Sequence, residues 1–352
     1  MLKINDTPIR TCRNFRINNV TLGNVSMPTA VKPFENVTII NESSKIMVEN
    51  TVQPVKLTYG MGEGFIKQAN AMANRTTKFT INSKTHQQAE VQYEFDQDNL
   101  DLIDVVEIEA NEDTKSTITI KYTSEKGVEA FHNGTIKLLA KPRARVHVVV
   151  VNLTSENTNH FLSIENEIQA EARVNYTIID LGGKNSISNY YANIVGEKAD
   201  NRLDTIYLGT ENQLYDINYI GHLRGEKSNI KIDVQGALKG TARKNFKGTI
   251  DFKQGCKNAV GDENESCMLL SDTAKSLALP MLLCSEEDVE GNHSTSSGKV
   301  GDNELFYVMS RGFSKKEAMK LMVRAKFNRI VEEIKDEDLK QEILAEIDRR
   351  LD

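Results

Sequence analysis

The chain has no tryptophan, only six prolines and four cysteines among 352 residues, and 6% aromatic residues. No apolar run approaches the roughly 18 residues needed to cross a bilayer, and the opening MLKINDTPIRTCRNF lacks the apolar core of a signal peptide. A cytoplasmic protein without a membrane span is therefore expected. Basic residues are not in excess: 44 Lys and Arg stand against 50 Asp and Glu, for a net charge of −6, which argues against a nucleic-acid partner. The phosphate-loop pattern G-x-x-x-x-G-K-[ST] is absent, so Gly60-Met61-Gly62-Glu63-Gly64 reads as a plain turn before a short helix from Phe65 to Ala73, and no nucleotide site is expected. There is also no C-x-x-C pair, so Cys12, Cys256, Cys267 and Cys284 read as free thiols in a reducing compartment.

What the sequence does have is β texture. Residues 1–77 read as short irregular strands and turns with that one helix, broken by Pro28, Pro33 and Pro54. From Lys78 to Cys256 short β-rich runs recur, separated by turn signals such as Asn133-Gly134, Gly182-Gly183, Gly225 and Gly240. Alternation in Thr117-Ile118-Thr119-Ile120-Lys121-Tyr122 turns one face inward and the other to water. A sandwich, a barrel or a solenoid would each give this pattern. Beyond Gly312 the period changes to that of helices. Ser314-Lys315-Lys316-Glu317 forms a capping box, followed by an apolar stripe of Ala318, Leu321, Met322, Ala325, Phe327, Ile330, Val331 and Ile334. Asp336 is positioned to cap a second helix carrying Leu339, Ile343, Ile347 and Leu351. Both stripes are expected to pack on each other and on the end of the β-stack.

Between these regions, Cys284 to Gly312 reads as the place where strands give way to helix. It contains the acidic residues Glu286, Glu287 and Asp288 and a lone His293 in a small polar loop. Three cysteines precede that histidine at short range, and soft thiolates beside an imidazole are what an iron or iron–sulfur site requires. The basic cluster Lys141-Pro142-Arg143-Ala144-Arg145 reads as protection of a strand edge. His147 reads as an ordinary strand residue, and His86, His132, His160 and His222 receive no role.

The residues Asp288-Val289, His293, Gly298, Val300-Gly301, Leu305-Phe306-Tyr307 and Ser310-Arg311-Gly312-Phe313, in that order, resemble the signature of the SufB/SufD family of iron–sulfur cluster assembly subunits. Upstream, Ala242 to Ile250 and Met268 to Ala274 resemble two further family segments, so the likeness runs over roughly residues 140 to 335. The resemblance implies a mainly β fold: a right-handed parallel β-helix core over 78–303, preceded by a short N-terminal region over 1–77 and followed by a C-terminal α-helical segment over 304–352. It implies a non-catalytic scaffold that pairs with a second SufB/SufD-type subunit, as a homodimer or heterodimer. It also implies docking of a SufC-like ABC ATPase, which would hydrolyse the ATP, through the helical segment. Leu305, Phe306, Tyr307, Arg311, Lys315, Lys316, Lys320 and Arg324 are the candidate docking residues. A transient iron–sulfur cluster is the implied cargo, with His293 and Cys267 as candidate ligands and Cys256 and Cys284 behind them. Ser294 stands where SufB has a carboxylate, and Gly291 where many SufD chains have a cysteine. Ungapped, Glu265 rather than Cys267 falls at the position of the SufB cysteine. The chain is thus SufD-like or of a compact single-subunit type. The alternatives are a structural β-solenoid or a carbohydrate-active one; the missing tryptophan and sparse aromatics weigh against the second.

Overall fold

A computed structural model describes residues 1–11, 17–23, 25–51 and 56–352; Cys12 and Pro54 lie outside the described residues. The chain winds as a parallel β-solenoid in which successive strands alternate between two nine-stranded sheets. The first sheet runs from Val37–Ile40 through His86–Phe95 to Val289–Lys299, and the second from Ile46–Thr51 through Arg75–Ile81 to Lys275–Cys284. One coil takes about 30 residues, so Lys115, Arg145, Arg173 and Asp200 stand in one column. Alternation along each strand sends Ile118, Ile120 and Tyr122 into the shared lumen, where they join one continuous core with Val148, Val150 and Tyr176. Each such side chain contributes about 1.5–3 kcal/mol by leaving water.

The two ends differ. At the start, Val37–Ile40 and Ile46–Thr51 add antiparallel to the first two parallel strands and end the two sheets on that side. At the far end, Lys275–Cys284 and Val289–Lys299 have a neighbour on one side only. One expectation about this end is corrected here. His293 does not sit in a loop: it lies in the strand Val289–Lys299, paired residue for residue with Ala259–Leu269. The sequence VEGNHSTSSGK gave no strand signal because its positions are exposed among the described residues, so no alternation of apolar residues is required.

The outer faces are covered as well. The segment Leu2–Ile4 and Val20–Leu22, with α1 (Glu63–Met72), packs against Phe131, Phe161 and Ile187 of the second sheet. Asn5, at φ 60°, anchors it by donating to Asp216 Oδ1 at 2.7 Å, beside the buried Lys247–Asp216 ion pair. At the other terminus α2 (Asp302–Met309), α3 (Lys315–Val331) and α4 (Glu337–Leu351) follow the solenoid. Both predicted caps are present: Ser314 with Glu317, and Asp336 accepting from Leu339 N–H. Two corrections concern their packing. The stripes lie along the outer face of the first sheet, on Val149, Val151, Ile179, Ile206 and Leu208, not on the end of the stack. The buried face of α3 also includes Val323, whereas Leu321 is exposed. Arg329 fastens α3 by pairing with Asp204 at 2.9 Å and with Asp233. The basic cluster is likewise no edge guard: Arg143, at φ 60°, sits in a turn stacked on the preceding coil, where it pairs with Asp113.

Candidate functional site

In-register stacking places residues about 30 apart in sequence one above the other, so polar lumen residues form columns. Tyr122, Asn152, Asp180, Tyr207, Gly236, Cys267 and Ser297 share one column of the first sheet. His132, His160, Ser186, Tyr215, Lys244 and Ser276 share one of the second. Where the two columns approach, buried polar groups satisfy one another, as burial requires. His132 Nε2 meets Asp104 at 2.7 Å and its Nδ1 meets His160 at 2.8 Å, while Tyr122 donates to the second Asp104 oxygen at 3.0 Å. Burial and the His132 ring push His160 well below the usual imidazole range. Farther along, Asp180 accepts from Asn152 at 2.8 Å and from Ser186 at 2.7 Å. Sequence reasoning gave His132 and His160 no role because their partners lie a coil away; a known coil period would have joined them to Asp104.

Toward the open end this seam becomes charged. Lys244, fully buried, pairs with Glu265 at 2.7 Å, and Tyr207 donates to the same Glu265 oxygen at 3.1 Å. Tyr207 reaches across Gly236, where a Cβ would lie 1.8 Å from its ring. Cys267 stands beside this group, buried on the lumen side of Ala259–Leu269. Burial raises its thiol above the usual range, against the pull of Lys244 and Tyr207. Glu263, two residues before Glu265 on the same face, has no hydrogen-bond partner at either oxygen. Burial and then Glu265 push it up to about 8.

The last coil forms the mouth above these groups. Ser297 lies over Cys267 and hydrogen-bonds Ser276 across the lumen at 2.7 Å, while His293 lies over Glu263 on the exposed strand. His293 and Cys267 are separated by one rung and four residues along the strands, roughly 14 Å between Cα atoms. The two leading ligand candidates are therefore not brought together within one chain. Cys256 is buried at the preceding turn, its thiol raised by burial and then by Glu286. Cys284 is exposed and its thiol meets the Glu286 carbonyl at 2.9 Å. Among the described residues no three His, Cys, Asp or Glu side chains converge as a metal centre.

The candidate docking residues separate into two groups. In α2 nothing is buried, and Phe306 and Tyr307 are 72% and 58% exposed, with Leu305 half-buried and Met309 and Phe313 exposed nearby. Arg311 lies over the Tyr307 ring at 3.7 Å. In α3 three of the four cations turn to α4: Lys316 and Lys320 pair with Asp352, and Arg324 with Asp348. No ion pair involves Lys315 among the described residues, and no helix is long and apolar enough to cross a membrane.

Comparison with known proteins bears on this geometry. A family model described as the SufBD core domain of SUF-system FeS cluster assembly matches residues 93–326. That stretch holds most of the solenoid, the mouth, α2 and most of α3. The chain is 27% identical over 185 residues to the iron–sulfur cluster assembly protein SufD of Bacillus subtilis, covering 51% of this chain and 41% of that one. With SufD of Escherichia coli it shares 25% over 211 residues, 59% and 50% of the two chains. With an iron–sulfur cluster assembly SufBD family protein of Mycobacterium tuberculosis it shares 25% over 207 residues, 58% of this chain and 24% of that one. The chain thus spans a half or less of the length of these relatives.

Proposed function

The chain belongs to the SufBD core-domain family, and from that membership we propose that it is a non-catalytic scaffold subunit of SUF-type iron–sulfur cluster assembly. The observation that carries this reading is the last coil, whose outer edge has no strand neighbour among the described residues. Its strand Val289–Lys299 offers unpaired backbone along one side and carries His293 at the surface. Native solenoids and sheets cover such an edge or use it for pairing. A second SufB/SufD-type subunit meeting this coil would bury the edge and bring a second set of side chains to the mouth. His293 then faces the partner, with Cys267 one rung deeper, and the cluster is cargo held between the two subunits. The exposed apolar side of α2, with Lys315 beside it, is the docking surface for a SufC-like ATPase, which hydrolyses the ATP. Contact there moves the mouth only if the open and closed arrangements differ in their contacts with the ATPase.

The test is reconstitution with iron and sulfide in the presence of the ATPase, read by the visible absorption of the cluster. His293→Ala is expected to lose most of the absorption and Cys267→Ser to weaken it. Wild-type spectra from both variants would remove the ligand assignment.

A further inference from the structure

We propose that α3 positions the last strand, and with it the rung that carries His293, through two hydrogen-bonded side-chain ladders on the outer face of the first sheet. The first ladder starts at Arg329, which pairs with Asp233 Oδ2. Asn264 Nδ2 donates to Asp233 Oδ1 at 3.1 Å, and Asn264 Oδ1 accepts from Ser294 Oγ at 2.9 Å. The second starts at the half-buried Lys326, whose Nζ donates to Ser266 Oγ at 2.7 Å; the same oxygen accepts from Ser296 Oγ at 3.0 Å. Both ladders end on the strand Val289–Lys299, and Ser294 is the residue after His293. Among the described residues no hydrogen bond or ion pair joins α3 to that strand directly, so the ladders are the polar link between them.

The register prepares this link. In one outward column Val151, Ile179 and Ile206 are followed by Gln235, Ser266 and Ser296. In the neighbouring column Asp204 is followed by Asp233, Asn264 and Ser294. The apolar members lie in the cluster that α3 and α4 bury, and the change to polar residues comes where the helix sets Lys326 and Arg329 one turn apart above the sheet. Contact with water asks only that such positions be polar; here they are joined end to end to two cations of one helix, and bonds to charged groups are the stronger kind. The last strand has backbone bonds on one side only, so side-chain bonds on its outer face weigh more in holding it than they would for an inner strand. That an ATPase would act on the mouth through these ladders rests on the docking reading above; the ladders themselves do not.

The experiment is amide hydrogen exchange on the separate chain, without iron, sulfide or ATPase, with the His293 ring followed by NMR. Lys326→Met, Ser266→Ala and Asn264→Ala are each expected to speed exchange across Val289–Lys299 about threefold or more and to shift the His293 ring signal, while exchange in Arg145–Leu153 keeps its wild-type rate. Ser266→Thr, which retains the hydroxyl, is expected to behave as wild type, an outcome that packing alone at this position would not give. Circular dichroism checks that each variant is folded; should Lys326→Met fail to fold, the comparison of Ser266→Ala with Ser266→Thr decides. Unchanged exchange of the strand in folded Lys326→Met, or equal acceleration in Ser266→Thr and Ser266→Ala, overturns the proposal. Accelerated exchange with no ATPase capture by wild type would count against the docking reading alone, and ATPase capture with unchanged exchange against this linkage alone.

Discussion

Lys244 is the buried cation of the charged part of the lumen. It is fully buried, it neutralises Glu265, and it also donates to the Leu277 carbonyl in the last coil at 3.2 Å. Removing one member of a buried ion pair strands the other, at a cost of about 3–5 kcal/mol. Lys244→Met should lower unfolding free energy by that amount in urea, and Lys244→Met with Glu265→Gln should recover much of it. Asp180 gives a pH signature. Burial holds its pKa up at about 6, only partly offset by Ser186, Asn152 and Arg350. Because the folded-state value lies above the unfolded one, the folded state binds the proton more tightly. Its contribution is therefore favourable at low pH and is lost as pH rises from about 4 through 6, a swing of about 3 kcal/mol. The stability of wild type relative to Asp180→Asn should fall over that window, measured by urea unfolding at pH 4.5 and 7; a flat difference would contradict the burial argument.

At the scale of elements, the helices divide by what they cover. Phe327 in α3 is fully buried on the first sheet, so Phe327→Ala should cost about 3–5 kcal/mol of stability. Phe306 in α2 touches no core, so Phe306→Ser should leave stability within about 0.5 kcal/mol while losing capture of the ATPase in a pull-down. Equal losses of stability in the two variants would deny α2 its role as a docking surface. The α3 and α4 starts were legible because a cap is a local matter of a few side chains. Their resting place was not, since an apolar stripe specifies burial without naming the surface that supplies it. The strand holding His293 was misread for the converse reason: its inward positions, Gly291, His293, Thr295 and Ser297, face an open mouth and carry no apolar signal.

For the molecule as a whole, alternation revealed the strands but not their stacking. Tyr122, Asn152, Asp180, Tyr207, Gly236 and Cys267 occupy one column with hardly a shared identity, so the coil repeat had drifted beyond recognition. The polar seam became visible only once the columns were aligned. The family signature, concentrated around the last coil and α2, was legible because it depends on particular residues and not on period. The solenoid begins with two antiparallel strands and ends, among the described residues, on a parallel coil that carries His293 at its edge, and that difference underlies the assignment of the last coil as the meeting face. Backbone hydrogen exchange tests it most directly, comparing the separate chain with the chain mixed with the proposed SufB/SufD-type partner. Amides of Val289–Lys299 should be strongly protected on pairing while those of Val37–Ile40 stay unchanged; protection at Val37–Ile40 with none at Val289–Lys299 would contradict the account.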